Sequence, residues 1–447
     1  EDDASNFLGI EVVNPLSLLK NTYGENNGNG IEGNFRLNYK PIEGLTVTTR
    51  LGYKIYNEKQ RSFSPIQNYG SSKVYNKTQS TVYQFKATST RVNWETFATY
   101  EKIFGEDHNT AFTLGTSVQN DLFDGIYATG VDVPNNSIEF ADISLTNLQS
   151  DQRNFNSGNA DTRLTSYFAR AQYDYKGKYL FSGLVRRDGA SVFAKDKRVD
   201  NFWSVTSGWK ISDEPFLEDN ETISFLKLRA SYGTLGNLVG DNLYRSLLNG
   251  EGTYVINGVL VDGTAQGGLP NPQATWETAE KLDIGLDINL FDDKLTIVAD
   301  YFEETRKDLL IQNFPVSGLL GSGSPGGANP TVNAGTSKNT GAELAITYQA
   351  FESEDASINL AYNVTYVKNR VTEVLGGAFV EGGSFAIGNP AASRMEVGQP
   401  IGYFYGLQTD GIFQTQAEVN AHPSQSGLGS SVTSPGDIRY KDLNNDG

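Results

Sequence analysis

The chain has 447 residues, a formal charge of −17 and no cysteine, which excludes disulfides and thiolate metal sites and argues against nucleic acid, whose partners present a basic face. Mean hydropathy is −0.41, and no run approaches the ~20 apolar residues of a membrane helix. With 47 Gly, 23 Tyr and 24 Phe against a single Met, the composition also argues against a helical protein. A membrane-spanning β-barrel escapes the hydropathy test, because only alternate residues of each strand face lipid.

No signal peptide opens the chain, residues 1–24 read as the end of a loop, and residue 447 falls inside a turn-like motif. A fragment cut at both ends is therefore expected. Residues 1–30 are polar and rich in Gly and Asn around a short apolar patch at 12–19. The first strand is expected over 31–40, with Ile31, Phe35, Leu37 and Tyr39 on one parity and Glu32, Asn34, Arg36 and Asn38 on the other. A turn at 41–44 leads to a second strand with Leu45, Val47, Leu51 and Tyr53 opposed to Thr46, Thr48, Arg50 and Lys54.

After a polar segment at 55–79, a third strand is expected over 81–101, its period blurred but its end carrying Trp94, Ala98 and Tyr100 on one face, and a fourth with Phe112, Leu114 and Val118. A polar stretch then runs to Arg163. The clearest hairpin follows at 164–193. Tyr167, Ala169, Ala171, Tyr173 and Tyr175 alternate with Phe168, Arg170, Gln172 and Asp174 before the turn at 176–178. Leu180 and Leu184 spoil the alternation of its return strand. Roughly 10 residues, the length of these strands, suffices for a tilted strand to cross a bilayer.

Two strands are expected near 202–211 and 225–235, and a Gly/Asn-rich excursion runs to residue 274. Then Leu282, Ile284, Leu286, Ile288 and Leu290 alternate with Lys281, Asp283, Asp287 and Asn289. The turn at 291–294 returns Leu295, Ile297, Ala299 and Tyr301. A loop near 307–337 precedes the last pair, built on Ala342, Leu344, Ile346 and Tyr348, then Ile358, Leu360, Tyr362, Val364 and Tyr366; everything after Val371 reads as loop.

About twelve strands result, with connections that tend to alternate short and long. That alternation marks an up-and-down transmembrane barrel, with tight periplasmic turns and long extracellular loops. Tyr39, Tyr100, Tyr175, Tyr179 and Tyr348 flank the short turns, as an interfacial aromatic girdle would. The expected organisation is an antiparallel barrel portion over residues 1–370 and an extracellular loop region over 371–447.

Several segments resemble the SusC/RagA family of TonB-dependent outer-membrane transporters: RRDGAS at 186–191, LKLRASYGTLGN at 226–237, WETAEKLDIGLD at 276–287, KNTGAELAI at 338–346, VGQPIGYFYGLQTDGIFQ at 397–414 and PGDIRYKDLNNDG at 435–447. The resemblance implies import of oligosaccharides or peptides too large for porins. It also implies a partner surface lipoprotein of the SusD type, and energy from the inner-membrane TonB complex reached through N-terminal parts. The family's plug, TonB-contacting box and terminal strands are not seen here, and about twelve strands cannot close its barrel of about 22. Alone, such a piece is not expected to transport. The competing reading is a surface β-rich adhesin or glycan-binding module without transport activity; an enzyme comes third.

Asp442, Asn444 and Asp446, followed by Gly447, match the opening of a calcium loop, in which alternate oxygens point to one centre. The position that would supply a bidentate carboxylate is not reached, and an Asx-rich turn is the competing reading. No other cofactor is expected. The G-x-G-x-x-G match at 321–326 lacks the buried strand and helix a phosphate site needs. His108 and His422, the only histidines, have no nucleophile motif nearby and read as structural or solvated. Loop residues Tyr69, Tyr75, Asn76, Tyr244, Tyr254 and Asn257 suit stacking on sugars as well as a plain surface role, so no substrate residue is assigned.

Overall fold

Twelve strands pair antiparallel into one sheet, each beside its successor in the chain. They are β1 (Tyr23–Ile42), β2 (Leu45–Ser64), β3 (Thr81–Phe104), β4 (His108–Val131), β5 (Asn154–Tyr175) and β6 (Tyr179–Ala190), followed by β7 (Val199–Lys210), β8 (Ile223–Asn237), β9 (Glu277–Leu290), β10 (Leu295–Lys307), β11 (Gly335–Glu352) and β12 (Ser357–Val374). The computed structural model describes residues 14–443 except 71–74, 148–151, 153, 219, 241–242, 251, 262, 318–327, 378, 384–390 and 426–432. Among the described residues β1 and β12 are the two edges of the sheet.

The register shows that the strands are tilted. Followed sideways, the pairs run Leu45, Tyr100, Phe112, Ala171, Gly183 and Val205, then Tyr232, Leu282, Glu303, Thr340 and Lys368. The line starts at the first residue of β2 and finishes near the far end of β12. This progressive stagger is the shear that curls a sheet into a barrel wall.

The expected alternation is present, and its apolar parity lies bare: Phe35 is 62% exposed, Leu114 59%, Val185 59% and Tyr362 61%. The opposite parity holds buried polar groups such as Thr48 and Ser166, as the concave side of a curved sheet would. A polar knot inside the apolar band satisfies its own hydrogen bonds. The Trp94 indole N–H donates to Thr49 Oγ1 at 3.0 Å, and Thr49 and Thr96 share a hydroxyl bond of 2.9 Å.

The strands are longer than expected. β1 and β2 have 20 residues, and β3 and β4 have 24. The added lengths, such as residues 24–30 of β1 and 57–62 of β2, are polar on both faces, so no period-two contrast announces them in the sequence. The apolar patch before β1 is a six-residue helix, Pro15–Lys20, capped by Asn14. The region beyond β12 carries short hairpins and a helix, Gln416–Ala421.

Short turns gather at one rim. Lys176 and Gly177 both have positive φ, 56° and 66°, and the Gly177 N–H donates to Asp174 Oδ1 at 2.6 Å, which sets a tight hairpin of primed type. Long connections gather at the other rim over two small cores. One contains Val192, Phe193, Phe202, Ala274, Trp276 and Leu310. The second joins Phe63 and Val82 of β2 and β3 to Val133 and Ala141 of the next connection.

Candidate functional site

The concave wall carries the chemistry. Register places Arg229 of β8 opposite Gly285 of β9, which faces Asp300 of β10. Because Gly285 has no side chain, the guanidinium reaches over it: Arg229 Nη2 lies 2.9 Å from both Asp287 Oδ1 and Asp300 Oδ1. Arg229 Nη1 lies 3.9 Å from Asp283 Oδ1. One fixed cation thus gathers three carboxylates on the wall.

Other cations of the wall are partnered in the same manner. Arg50 faces Glu95 at 3.6 Å, Lys54 faces Glu32 at 3.5 Å, Arg91 faces Asp121 at 2.5 Å and Lys281 faces Glu304 at 2.8 Å. Arg186 binds Asp188 at 2.7 Å and Ser166 Oγ at 2.7 Å. All belong to the polar parity, so the concave wall is a ladder of ion pairs.

An aromatic stripe crosses this ladder. Phe97 of β3 and Phe168 of β5 approach to 6.5 Å between ring centres over Gly115 of β4. A Cβ at Gly115 would stand 2.5 Å from Phe168 and 2.6 Å from Phe97. Arg50 lies over the Phe97 ring at 5.1 Å and Arg186 near the Phe168 ring at 5.9 Å. Towards the short-turn rim the wall opens into a groove of 1160 Å³ lined by Gln172, Asp174, Ser182, Lys227, Arg229 and Asp283, among others. Rings with flanking guanidinium and carboxylate groups suit polar solutes that have an apolar face. Each acid named on the ladder faces a cation, so none is posed beside a nucleophile.

At the short-turn rim the expected girdle is present. Tyr175, Tyr179 and Trp209 stack in a row, with centroids 6.2 and 6.4 Å apart. The Tyr179 hydroxyl and the Trp209 N–H donate to one oxygen of Glu214, at 2.6 and 3.0 Å. These two bonds, with Lys178 nearby, hold the Glu214 carboxyl below the ordinary carboxylate range.

The sequence-derived candidates fall elsewhere. His108 bonds the Tyr173 hydroxyl at 2.7 Å, and His422 packs edge-on against Phe413; both are structural placements. Asn76 accepts from the Tyr69 N–H at 2.7 Å within one loop. Tyr244 lies beside Arg198 and Arg245. Tyr254 stands exposed on a hairpin whose turn is Asn257 and Gly258, both at positive φ. These positions do not converge on one surface patch with shared contacts. Of the calcium-loop residues, Asn444 and Asp446 lie outside the described residues, as does the 321–326 match, and Asp442 is described alone. Among the described residues no group of three or more His, Cys, Asp or Glu is arranged to hold a metal.

Residues 5–447 match the family described as TonB dependent receptor-like, beta-barrel. The chain belongs to that family. TonB-dependent receptors are outer-membrane proteins and not enzymes, so the bare apolar parity faces lipid and the charged parity faces the lumen. Among relatives, TonB-dependent receptor P3 of Formosa agariphila is 28% identical over 99% of this chain and 43% of its own length. TonB-dependent receptor SusC of Bacteroides thetaiotaomicron is 31% identical over 59% of this chain and 26% of its own length. The solved structure of the RagAB peptide transporter matches with a TM-score of 0.75 and 22% identity over 89% of this chain and 42% of that chain. The chain therefore spans under half the length of these relatives. The SusC/RagA resemblance read from the sequence is borne out.

Proposed function

We propose that this receptor barrel forms part of the wall of an outer-membrane importer of large nutrients, either oligosaccharides or peptides. The observation that carries the reading is the two-faced wall: an apolar outer parity, and an inner parity of paired charges crossed by the Phe97–Phe168 stripe. Such a surface offers a polar solute many exchangeable hydrogen bonds and no deep trap. Peptide cargo is suggested by the likeness to the RagAB peptide transporter, and oligosaccharide cargo by the SusC/RagA-like segments of the sequence. By the same likeness, a SusD-like surface lipoprotein would close over the long-loop rim, and the TonB complex would supply energy from the periplasm.

Uptake of labelled oligosaccharides and peptides by cells carrying the full-length receptor tests the proposal. Accumulation that stops when the proton gradient is collapsed supports it. Surface binding with no gradient-dependent accumulation of either class would instead indicate an adhesin or glycan-binding role. Affinity purification of the receptor with a co-purifying surface lipoprotein tests the partner separately.

A further inference from the structure

Register places a second set of charges on the outer face, just beyond the apolar band on the long-loop side. On β2 the outward residues run Leu51, Tyr53, Ile55, Asn57 and Lys59 towards that rim, and on β3 they run Trp94, Val92, Thr90, Thr88 and Lys86. Lys59 and Lys86 are direct cross-strand partners and both are exposed. Like charges directly opposite one another destabilise a sheet unless something neutralises them. Arg187 occupies the corresponding place beyond Val185 on β6, and Lys368 and Arg370 do so beyond Tyr366 on β12.

These five cations differ from those of the lumen. Arg50, Lys54, Arg91, Arg186, Arg229 and Lys281 each have a carboxylate partner inside the barrel. Among the described residues none of Lys59, Lys86, Arg187, Lys368 and Arg370 forms an ion pair. Arg163, Lys307 and Lys338 share the outward belt and are paired with Asp161, Glu280 and Glu303; Asp124 adds one further acid beside Lys86. The belt is therefore positive on a chain whose net charge is −17. Around Lys59 and Lys86 it forms a groove of 580 Å³ lined also by Asn27, Asn29, Asn57 and Ser157, with the acids Glu58 and Asp124 on its walls.

We infer that this belt binds the phosphate groups of lipids in the outer leaflet. Its height fits, because on β2, β3 and β12 it follows the last exposed apolar residues of the outward parity, Ile55, Val92 and Tyr366, with Ile126 of β4 beside Lys86, and long cationic side chains extend from that level into the headgroups. Its chemistry fits as well: ammonium and guanidinium groups neutralise phosphate, while the amides of Asn27, Asn29 and Asn57 offer donors to the remaining oxygens. An anionic headgroup over Lys59 and Lys86 relieves the repulsion between them. The belt thus fixes the height and rotation of the barrel in its membrane.

The test uses the full-length receptor in detergent, titrated with short-chain phosphatidylglycerol and followed by native mass spectrometry. Replacing Lys59, Lys86, Arg187 and Lys368 with Gln should weaken binding at least about tenfold, given the contribution of each cation near an anionic surface. A control variant with Gln at lumenal Arg36, Arg50, Lys54 and Arg170 should bind as wild type does, and both variants should keep the heat-modifiable gel migration of a folded barrel. Unchanged affinity in the belt variant, or equal loss in the control, would overturn the proposal. So would equal binding of phosphatidylcholine, or displacement of the lipid by inorganic phosphate alone.

Discussion

Arg229 grips Asp287 with two nitrogens, Nε and Nη2, each 2.9 Å from a carboxylate oxygen, while the same Nη2 reaches Asp300 on the next strand. One guanidinium therefore ties three successive strands of the lumenal wall. Charge-assisted bonds of this two-pronged kind are the strong ones among side-chain contacts.

Arg229→Gln removes the cation and leaves Asp283, Asp287 and Asp300 crowded together. The expected cost is about 2 kcal/mol, read as a lower midpoint in urea unfolding of the reconstituted barrel. A second change, Asp287→Asn, relieves part of the repulsion, so the double variant should be more stable than the sum of the single losses predicts.

Glycine at 285 and 115 is a packing requirement. A Cβ at Gly285 would lie 2.2 Å from Asp300 Oδ1 and 2.6 Å from Arg229 Cζ. Gly285→Ala should push aside the flexible ends of Arg229 and Asp300 and loosen their contact, at a cost of up to about 1 kcal/mol. Gly115→Ala should separate Phe97 from Phe168, and the loss of their coupling in a double-mutant cycle would show it.

Glu214 gives the short-turn rim a pH dependence. Its carboxyl lies below the ordinary range chiefly because the Tyr179 hydroxyl donates to it, then because Trp209 does. The folded pKa is lower than the unfolded one, so the contribution is complete above the ordinary carboxylate value and is lost as pH falls through the folded value. The Trp209 fluorescence signal should change only once the pH has fallen below the ordinary glutamate range. Glu214→Gln should abolish that change, because the acceptor remains and the titration does not.

The long-loop rim rests on Trp276, which is 3% exposed, lies 5.6 Å from Phe193 and 5.4 Å from Phe202, and donates to Arg198 O at 2.9 Å. Trp276→Ala should cost about 3–5 kcal/mol. Because this core pins the connection before β9, limited proteolysis should cut residues 252–274 faster in the variant while the strands stay protected.

The turn between β9 and β10 holds three consecutive non-glycine residues at positive φ: Phe291 at 58°, Asp292 at 55° and Asp293 at 64°. Left-handed backbone costs an L-residue about 1 kcal/mol. Asp292→Gly should therefore raise stability by about that amount, measured by the same urea midpoint.

Much of this was legible in the chain. The alternation of Leu282 to Leu290 against Lys281 and Asp283 located β9 and assigned both of its faces, because a strand between lipid and water has two unlike sides. The outer halves of β1, β2, β4 and β5 were not legible, since residues such as Asn27, Asn29, Asn57 and Asn159 are polar and meet water on either face. Leu180 and Leu184, which blur the pattern of β6, occupy the lumenal parity beside Asp174 and Arg170. Parity alone put Arg229, Asp287 and Asp300 on the charged side, but their meeting depends on register, and register is set between strands rather than within one. The loop tyrosines were visible as residues, while their partners, such as Arg198 for Tyr244, came from distant segments.

The central claim is that the apolar parity faces hydrocarbon, and three of the four tryptophans report on it. Trp94 and Trp203 lie on that parity at 52% and 43% exposure, whereas Trp276 is buried under the long loops. Single-tryptophan forms of the full-length receptor, reconstituted into phosphatidylcholine brominated along its acyl chains, test the claim directly. Strong quenching of Trp94 and Trp203 with little quenching of Trp276 is the predicted result; unquenched Trp94 and Trp203, or a quenched Trp276, would contradict it.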